Sequence, residues 1–455
     1  MAEITGKLAE FVSTLQAEGI PRTVRDRAAL LTLDAVAIAV RAMHDGDSTP
    51  SLLAGFRDAG AGPGPCTVAG HGTRLAPAAA AGLNGALVHT LDFDDTHIGA
   101  SAHITAPVVP AALATAEAVD ADGEATIVGI VAGMEVMARL GRALVPPRHY
   151  ARGYHPTATS GVFGATAAAG AVMGLSAEQM TDAFGIALSS AGGTLQFHAN
   201  GAWTKRLQVG LAAEAGVRAA FLARAGFRGA AEPIEGERGL LRVFTDAPEP
   251  GLAVKNLGTE WETLEIGVKP YPACRFAHAA IDALLDMRVD AGDVRSIHVG
   301  LSRKAIAAVG EPEARKRHAR NTVDAQFSMY FLAAAALIAG GVRWDDYPRL
   351  IAQPEIDALA DKVQVWHDTA IEALYPRRMA ASVRVVLSDG RELDRVVESP
   401  SGEPDRFPDE AAFRQKAEML TAPVLGDAGV ERLCDAALAL ERVGPQALAA
   451  AMRPV

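Results

Sequence analysis

Between Leu83 and Glu117, acids, histidines and a threonine are concentrated in a short stretch that separates two alanine-rich apolar runs. These residues are His89, Asp92, Asp94, Asp95, Thr96, His97 and His103. Burying an ionisable group costs free energy unless the group is paired or used, so acids and imidazoles held between core helices indicate a candidate functional site. Carboxylates beside an imidazole can fix its tautomer and tune its pKa for general acid–base chemistry.

Three interpretations of this cluster are open. In the first it transfers protons, with His89 and Asp92 on one face of a helix because they lie three residues apart. In the second, Asp92 and Asp95 cap helix ends and the histidines are hydrogen-bonded core groups. In the third, histidine and aspartate side chains bind a divalent metal ion. We favour proton transfer for the cluster as a whole and predict no metal site, because no His-x-x-x-His pair on a helix supports one.

A histidine and a lysine stand at the start of two predicted helices. Pro156 suits the first position of the uncharged helix that it opens, which places His155 at the positively polarised end. A histidine there is expected to stay neutral and donate a hydrogen bond to an anion or carbonyl, or else only to cap the helix. Lys205 also stands at a helix start, where a cation is unfavourable unless an anion is shared. We therefore predict that Lys205 binds a carboxylate, and interpret Arg206 as an ion-pair residue.

The segment Lys269-Pro270-Tyr271-Pro272 is followed by Cys274 and His278. Two prolines restrict the backbone around Lys269, and His278 begins the next predicted helix. Nothing nearby in sequence activates the Cys274 thiol, so we interpret it as a buried structural residue. No G-x-G-x-x-G motif follows a predicted strand, so no nucleotide or flavin cofactor is expected.

Most elements that must position these groups are predicted helices. Apolar residues recur at helical spacing, Ser176 and Gln179 form a capping box, and Thr204 is the predicted N-cap of a later helix. The predicted helices cover residues 22–43, 75–91, 107–119, 124–144, 176–190 and 204–226. The chain from Pro408 onward is predicted to be helical again.

The hydrophobic pattern of the sequence changes near residue 260 from helical spacing to strand-like alternation. Residues 294–302 and 379–387 alternate as strands do, and Ser388-Asp389-Gly390 turns the second of them into a further strand over 392–398. A helix is predicted over residues 323–338, between these strands. We expect a separate α+β domain there.

The composition excludes several classes of protein. A chain of 455 residues is too long for one hydrophobic core, and the net charge of −11 with no basic block argues against nucleic-acid binding. Three widely spaced cysteines form no metal-binding pattern or disulfide framework, and the first residues lack a signal-peptide core. We expect a cytoplasmic protein with no membrane association. The uncharged, glycine-containing stretch 156–175 is interpreted as a buried helix rather than a membrane span.

Short segments across nearly the whole chain carry a resemblance to one known family. They are Asn84-Gly85, His89, residues 91–96, His103, residues 109–114, residues 153–157, Thr204-Lys205, Gly210, residues 269–272, His278 and Phe327-Ser328. On these residues the chain resembles the MmgE/PrpD family, which includes 2-methylcitrate dehydratases, cis-aconitate decarboxylases and iminodisuccinate epimerases.

The resemblance implies a fold, an assembly and a site. The expected fold is mainly α, with a large all-helical domain from residues 1–265 and 401–455 and a smaller α+β lid over 266–400. A homodimer and cofactor-free catalysis in the cleft between the domains are also implied. The expected catalytic residues are Asp92, Thr96, His103 and His155, and the expected substrate-binding residues are Lys205, Lys269, His278, His89 and Tyr330.

All three family reactions form a carbanion or enolate-like species beside a carboxylate. We predict that Lys205, Lys269 and His155 bind substrate carboxylates, that Asp92 and His103 move the proton, and that Thr96 orients one of them. Which of the two is the base and which the acid stays open. The expected substrate is a small citrate-like di- or tricarboxylate.

Dehydration ranks first among the reactions, epimerisation second and decarboxylation third, with a silent anion-binding protein as the alternative from another class. Decarboxylation ranks low because the spacing from Thr96 to His103 is one residue longer than in the decarboxylases, and Ile104 replaces a frequent proline. In addition, Tyr330 stands one position before the usual tyrosine, which turns the hydroxyl by about 100° on a helix.

Overall fold

The fold is described from a computed structural model, which covers residues 3–199 and 201–454. The structure is 61% helical, with only small sheets, so the predicted mainly α class is confirmed. It divides into two compact units. The helical unit comprises Met1–Ile266 and Asp409–Val455, and the α+β unit comprises Gly267–Pro408.

The helical unit contains most of the long helices. Its α-helices are α1 (Ile4–Thr14), α2 (Arg22–Asp45), α3 (Thr49–Asp58), α4 (Pro77–Val88), α5 (Thr105–Val119), α6 (Gly123–Ala143), α7 (Pro146–Ala151), α8 (Pro156–Val172), α9 (Ala177–Leu188), α10 (Thr204–Arg224), α11 (Leu240–Val243), α20 (Glu410–Leu425), α21 (Asp427–Leu438), α22 (Leu440–Val443) and α23 (Pro445–Ala451). Short 3-10 turns cover Ala17–Gly19, Leu195–Ala199, Pro250–Ala253 and Glu262–Glu265. Strands β1 (Pro63–Thr67) and β2 (Arg74–Leu75) pair antiparallel, and β3 (Thr96–His97) follows α4.

Helix α8 lies at the centre of the helical unit and packs against α5, α6 and α10. Small residues permit this, because a Cβ on Gly164 would lie 2.6 Å from Met137 Cβ, and one on Gly133 would lie 2.8 Å from Ala168 Cβ. The interpretation of this stretch as a buried helix is confirmed. Over the part of the chain that the structure describes, no helix is long and apolar enough to cross a membrane.

The α+β unit is built on a four-stranded sheet with the order β6-β5-β7-β8. Its strands are β5 (Val294–Leu301), β6 (Val363–His367), β7 (Ala381–Leu387) and β8 (Glu392–Val397), and β4 (Ile266–Gly267) lies at the unit boundary. Its helices are α12 (His278–Met287), α13 (Arg303–Ala305), α14 (Glu313–Lys316), α15 (Thr322–Gln326), α16 (Met329–Ala339), α17 (Asp346–Ile351), α18 (Pro354–Ala360) and α19 (Thr369–Leu374). Short 3-10 turns cover Arg275–Ala277, Ala291–Asp293 and Pro404–Arg406, and Ile306–Gly310 forms one π-helical turn.

Strands β7 and β8 form the predicted hairpin, with Val386 opposite Glu392 across the turn. Strand β5 lies between β7, to which it is antiparallel, and β6, to which it is parallel. The inner faces of the sheet pack on α12 and α16, because alternate residues such as Ile297 and Val383 are apolar and buried.

Three local predictions were wrong. Helix α4 ends at Val88, so His89 and Asp92 do not share a helix face. The helix predicted over 323–338 is two helices, since Ser328 Oγ accepts a hydrogen bond from Phe331 N–H and caps a new helix. Thr204 is the first helical residue of α10 rather than its N-cap, because Arg206 N–H bonds to the carbonyl of the residue before Thr204.

Candidate active site

Four helix ends in the helical unit carry the predicted site residues. His89 is the C-cap of α4, and His103 comes two residues before the start of α5. His155 is the N-cap of α8, and Lys205 is the second residue of α10. The imidazole centroid of His89 lies 4.7 Å from that of His103 and 6.0 Å from that of His155. Residues from distant parts of the chain therefore form one group, most of which is buried.

Lys205 and Asp92 form an ion pair at the edge of this group. Lys205 Nζ donates to Asp92 Oδ1 at 2.7 Å, and the two side chains are only 27% and 13% exposed. Asp92 lies in the left-handed region with φ 53°, a conformation that aspartate tolerates better than bulky or β-branched residues do. The loop that follows α4 thus turns Asp92 toward the first turn of α10, where its carboxylate supplies an anion at the helix start. Substrate binding by Lys205 stays a prediction.

Asp94 and the backbone of Asp95 orient two imidazoles. His89 Nδ1–H donates to Asp94 Oδ2 at 2.6 Å, and both side chains are fully buried. His103 Nδ1 lies 2.7 Å from the carbonyl oxygen of Asp95. A carbonyl can only accept, so His103 Nδ1 carries the proton and its Nε2 holds a lone pair in the neutral ring. His103 is therefore set up as a proton acceptor through Nε2.

His155 is held as a neutral ring at the N-terminus of α8. Burial, together with the nearby His89 and Lys205, holds the pKa of His155 well below its usual range. Its side chain does not cap the helix, so the simple capping alternative is wrong. Its Nδ1 lies 3.2 Å from Gln208 Oε1 instead.

Asp95 has the capping role that the second interpretation gave it. Its carboxylate accepts from Ile104 N–H at 2.8 Å and from Thr105 N–H at 2.9 Å at the start of α5. Burial raises the pKa of Asp95 to about 7, and the adjacent Asp94 carboxylate adds to the rise. This capping fixes the position of the neighbouring His103.

Thr96 does not orient Asp92 or His103, which corrects the prediction. Its buried hydroxyl oxygen has no hydrogen-bond partner among residues 3–199 and 201–454. A buried hydroxyl without a partner costs about 1–3 kcal/mol, so a bound substrate that supplied one would bind more tightly.

Two neighbours of the cluster are structural. His97 Nε2–H donates to Glu262 Oε2 at 3.0 Å, which fastens the loop that carries Thr96 to a distant turn. Lys416 Nζ donates to the carbonyl of Phe93 at 3.0 Å and lies 3.8 Å from the centre of its ring. The C-terminal segment of the helical unit therefore braces the loop between Asp92 and Asp94.

The remaining predicted residues belong to the α+β unit. Lys269 is buried. His278 Nε2–H donates to the carbonyl of Ala273, and its Nδ1 accepts from Arg275. The Tyr330 hydroxyl donates to the carbonyl of Gly310 at 3.2 Å. Substrate contacts by these three residues stay predictions. Cys274 is buried and reduced, as interpreted.

Three of the clustered groups could also hold a cation. His89, Asp94 and His103 can offer ligand atoms that lie within 4.8 Å of one another. The Nδ1 atoms of both histidines already donate to oxygen acceptors, so a cation bound through Nδ1 would have to displace these protons. The prediction of no metal site is therefore open to a direct test with a chelator.

Family models match both parts of the chain. The MmgE/PrpD N-terminal domain matches residues 6–253, and the MmgE/PrpD C-terminal domain matches residues 271–442. The chain belongs to the MmgE/PrpD family. The resemblance seen in the sequence is thus confirmed.

Two curated fungal relatives match nearly the full chain, and a human relative matches about two thirds of it. The cis-aconitate decarboxylase of Aspergillus terreus is 28% identical over 468 residues, covering 97% of this chain and 94% of the relative. A cis-aconitate decarboxylase-like protein of Aspergillus oryzae is 30% identical over 465 residues, covering 96% and 94%. The cis-aconitate decarboxylase of Homo sapiens is 28% identical over 306 residues, covering 64% and 62%.

Sequence reasoning missed Gln208 and Lys416. Neither belongs to a recognisable motif, because each acts on a partner that only the fold brings near. The one signal for Gln208 is its position one helical turn after Lys205, which places both side chains on the same face of α10.

Proposed function

We propose that the protein is a lyase that acts on a small tricarboxylate of the aconitate or citrate type by transferring a proton at a carbon next to a carboxylate. The observation that carries this proposal is the grouping of Lys205, Asp92, His103 and His155 at the ends of buried helices. The predicted contacts from Lys269, His278 and Tyr330 are part of the proposal.

The charge around the group suits an anionic substrate. Lys205 supplies a cation, and among the described residues no side chain caps the N-terminus of α8 or of α10. Backbone N–H groups at such helix starts favour negative charge, which makes them suitable for a carboxylate. Neutral His155 adds a ring that does not repel the Lys205 ammonium. In a poorly solvated site the Lys205 ammonium and the backbone N–H groups stabilise charge that develops on the substrate.

Decarboxylation is the reaction that we favour, because the three relatives above are named for it. In this reaction the bond between one carboxylate carbon and the skeleton breaks and CO₂ leaves. The electron pair stays on the skeleton and spreads over the neighbouring double bond and carboxylate. A proton delivered to carbon completes the reaction, and Asp92 or a histidine of the cluster supplies it.

Dehydration of a hydroxy-tricarboxylate is the second candidate, and the tautomer of His103 favours it. Loss of water requires a base to remove a proton from carbon, whereas loss of CO₂ requires only an acid. The Nδ1–H of His103 donates to the backbone carbonyl of Asp95, so in the neutral ring Nε2 carries the lone pair that a base needs. The leaving hydroxyl would then take its proton from Asp92, which can hold one once a substrate carboxylate takes over the Lys205 ammonium.

A substrate panel distinguishes these reactions. Purified protein is incubated separately with cis-aconitate, citrate, 2-methylcitrate and iminodisuccinate, and products are followed by carbon and proton NMR. Loss of CO₂ from cis-aconitate supports the favoured reaction, and loss of water from citrate or 2-methylcitrate supports the second.

Two controls complete this experiment. Lys205→Met should abolish turnover, whereas Lys7→Met, which removes an exposed ion pair with Glu3, should not. Turnover that persists in excess chelator would support the prediction of no metal. Conversion of none of cis-aconitate, citrate and 2-methylcitrate, or full activity of Lys205→Met, would overturn the proposed function.

A further inference from the structure

Gln208 joins two segments beside the candidate site. It follows Lys205 by three residues on α10, so the two side chains lie on one face. Its Nε2 donates to the carbonyl of Thr194 at 3.0 Å, and its Oε1 lies 3.2 Å from His155 Nδ1. These two contacts span 14 and 53 residues of sequence, respectively.

The Thr194 carbonyl decides which way the Gln208 amide points. A carbonyl oxygen only accepts hydrogen bonds, so the amide NH₂ must face Thr194 and the amide oxygen must face His155. The amide oxygen also only accepts, so His155 Nδ1 must carry the proton. A free neutral imidazole in water prefers the proton on Nε2. The amide therefore reverses the intrinsic preference of the His155 ring.

Backbone closely approaches the oxygen side of this amide, whereas its bond to the Thr194 carbonyl lies at the surface. Tyr154 and Thr194 form an antiparallel bridge, and His155 N–H donates to the carbonyl of Gly193 at 3.0 Å. Gly193 has φ +93°, and a Cβ there would lie 2.9 Å from Gln208 Oε1 and 2.6 Å from the Ala158 side chain. A larger residue at 193 would displace the amide, so the glycine is required at this position.

We propose that Gln208 is a positioning residue that fixes the Nδ1–H tautomer of His155 and leaves Nε2 as the nitrogen that exchanges a proton or accepts a hydrogen bond during turnover. His103 receives the same tautomer from the carbonyl of Asp95. Both rings then present the same kind of nitrogen to a substrate. The role in turnover rests on the proposed function, whereas the tautomer itself does not.

Nitrogen NMR of protein labelled with ¹⁵N-histidine measures the tautomer directly. The His155 signals are assigned by their absence in His155→Gln. In the wild-type protein at neutral pH, we expect Nδ1 in the protonated range and Nε2 in the unprotonated range. Gln208→Met, of similar length but without the amide, should shift His155 toward the Nε2–H form. Gln208→Glu keeps an acceptor and should retain the Nδ1–H form.

Kinetics of the same variants test the role in turnover. Gln208→Met should lower kcat roughly 10- to 100-fold with a smaller change in KM, since the imidazole stays but its proton is misplaced. Gln208→Glu should recover part of kcat and move the acidic limb of the pH profile to higher pH, because a carboxylate favours the imidazolium. The control is Gln446→Met, which removes an exposed amide bonded to Asp120 and should change neither readout.

The NMR result decides the proposal independently of activity. An Nε2–H tautomer in the wild-type protein, or an unchanged tautomer in Gln208→Met, would overturn it. If Gln208→Met fails to fold, the tautomers measured in the wild-type protein and in Gln208→Glu decide the proposal. If none of the tested acids is converted but the tautomer behaves as expected, the proposed function fails while Gln208 keeps its assignment to His155.

Discussion

Lys205 Nζ donates a 2.7 Å hydrogen bond to Asp92 Oδ1 across 113 residues of sequence. The pair is mostly shielded from solvent, so its attraction is screened less than that of a surface pair. Asp92 reaches Lys205 only because its backbone adopts a positive φ just after α4 ends. A bound carboxylate next to Lys205 would share the ammonium with Asp92, which couples substrate binding to the proton affinity of Asp92.

Asp92→Asn tests this coupling without disturbing the backbone, because asparagine also tolerates a positive φ. The variant keeps an oxygen acceptor for Lys205 but loses the negative charge and the ability to take up and release a proton. We expect kcat/KM to fall about 10²- to 10⁴-fold, the range for loss of an acid–base group. The control is Asp26→Asn, which removes an exposed pair with Arg22 and should leave the rate constant unchanged. Wild-type kinetics in Asp92→Asn would remove Asp92 from the mechanism.

Asp94→Asn should lower the pKa of Asp95. Burial is the larger cause of the rise in the Asp95 pKa to about 7, and the Asp94 charge is the second cause. The pKa of Asp95 in the variant should therefore lie between about 7 and the ordinary 3.8. Carboxyl-carbon NMR of aspartate-labelled protein follows the titration. Asp361→Asn is the matched control, because it removes an exposed rather than a buried partner of a histidine. An unchanged Asp95 titration would show that Asp94 is not charged beside it.

Thr96→Val should separate function from stability. Valine has nearly the same shape but removes a buried hydroxyl that has no partner in the part of the chain that the structure describes. We expect the unfolding free energy to stay the same or rise by about 1 kcal/mol, while KM rises because a substrate contact is lost. Thr115→Val removes a similarly unpaired buried hydroxyl further along α5 and should leave KM unaltered. Equal KM values in both variants would argue against substrate contact by Thr96.

The depressed pKa of His155 predicts a pH-dependent stability. Below its ordinary pKa of about 6.5, the unfolded chain binds a proton that the folded protein excludes by burial. The contribution to the unfolding free energy therefore rises with pH up to about 6.5 and is constant above it. As the pH rises through the acidic range, the unfolding free energy of the wild-type protein should increase relative to that of His155→Gln by up to ~1.4 kcal/mol per pH unit. Urea unfolding of both proteins measures the difference, and a difference independent of pH would contradict the buried neutral ring.

Local signals predicted much of the fold. Ser176 and Gln179 form both halves of the predicted capping box, because all of its atoms lie within four residues. Pro156 likewise opens α8 and leaves His155 at its start. The sequence could not show that α4 stops at Val88. No glycine or proline marks that point, and the turn is fixed by contacts of His89 with Asp94 and of Phe93 with the distant Lys416.

The candidate site was predictable by residue type more than by role. Lys205 and His155 were identifiable because the positively polarised start of a helix disfavours a cation that has no anion beside it. Their partners could not be inferred, since Gln208 is uncharged and lies 53 residues from His155 in sequence. Thr96 was expected to orient a neighbour, but its hydroxyl makes no hydrogen bond to any described residue. Such details depend on side-chain directions that only the packed helices determine.

Deuterium transfer to substrate carbon is the most direct test of proton transfer by this cluster. Wild-type protein, His103→Gln and the control His318→Gln, which alters an exposed histidine, are incubated with a converted tricarboxylate in deuterated buffer. We predict that wild-type and His318→Gln proteins place deuterium on carbon at equal rates, and that His103→Gln is slower by about 10²- to 10⁴-fold. Deuterium transfer by His103→Gln at the wild-type rate would contradict the role of this histidine and the site built around it.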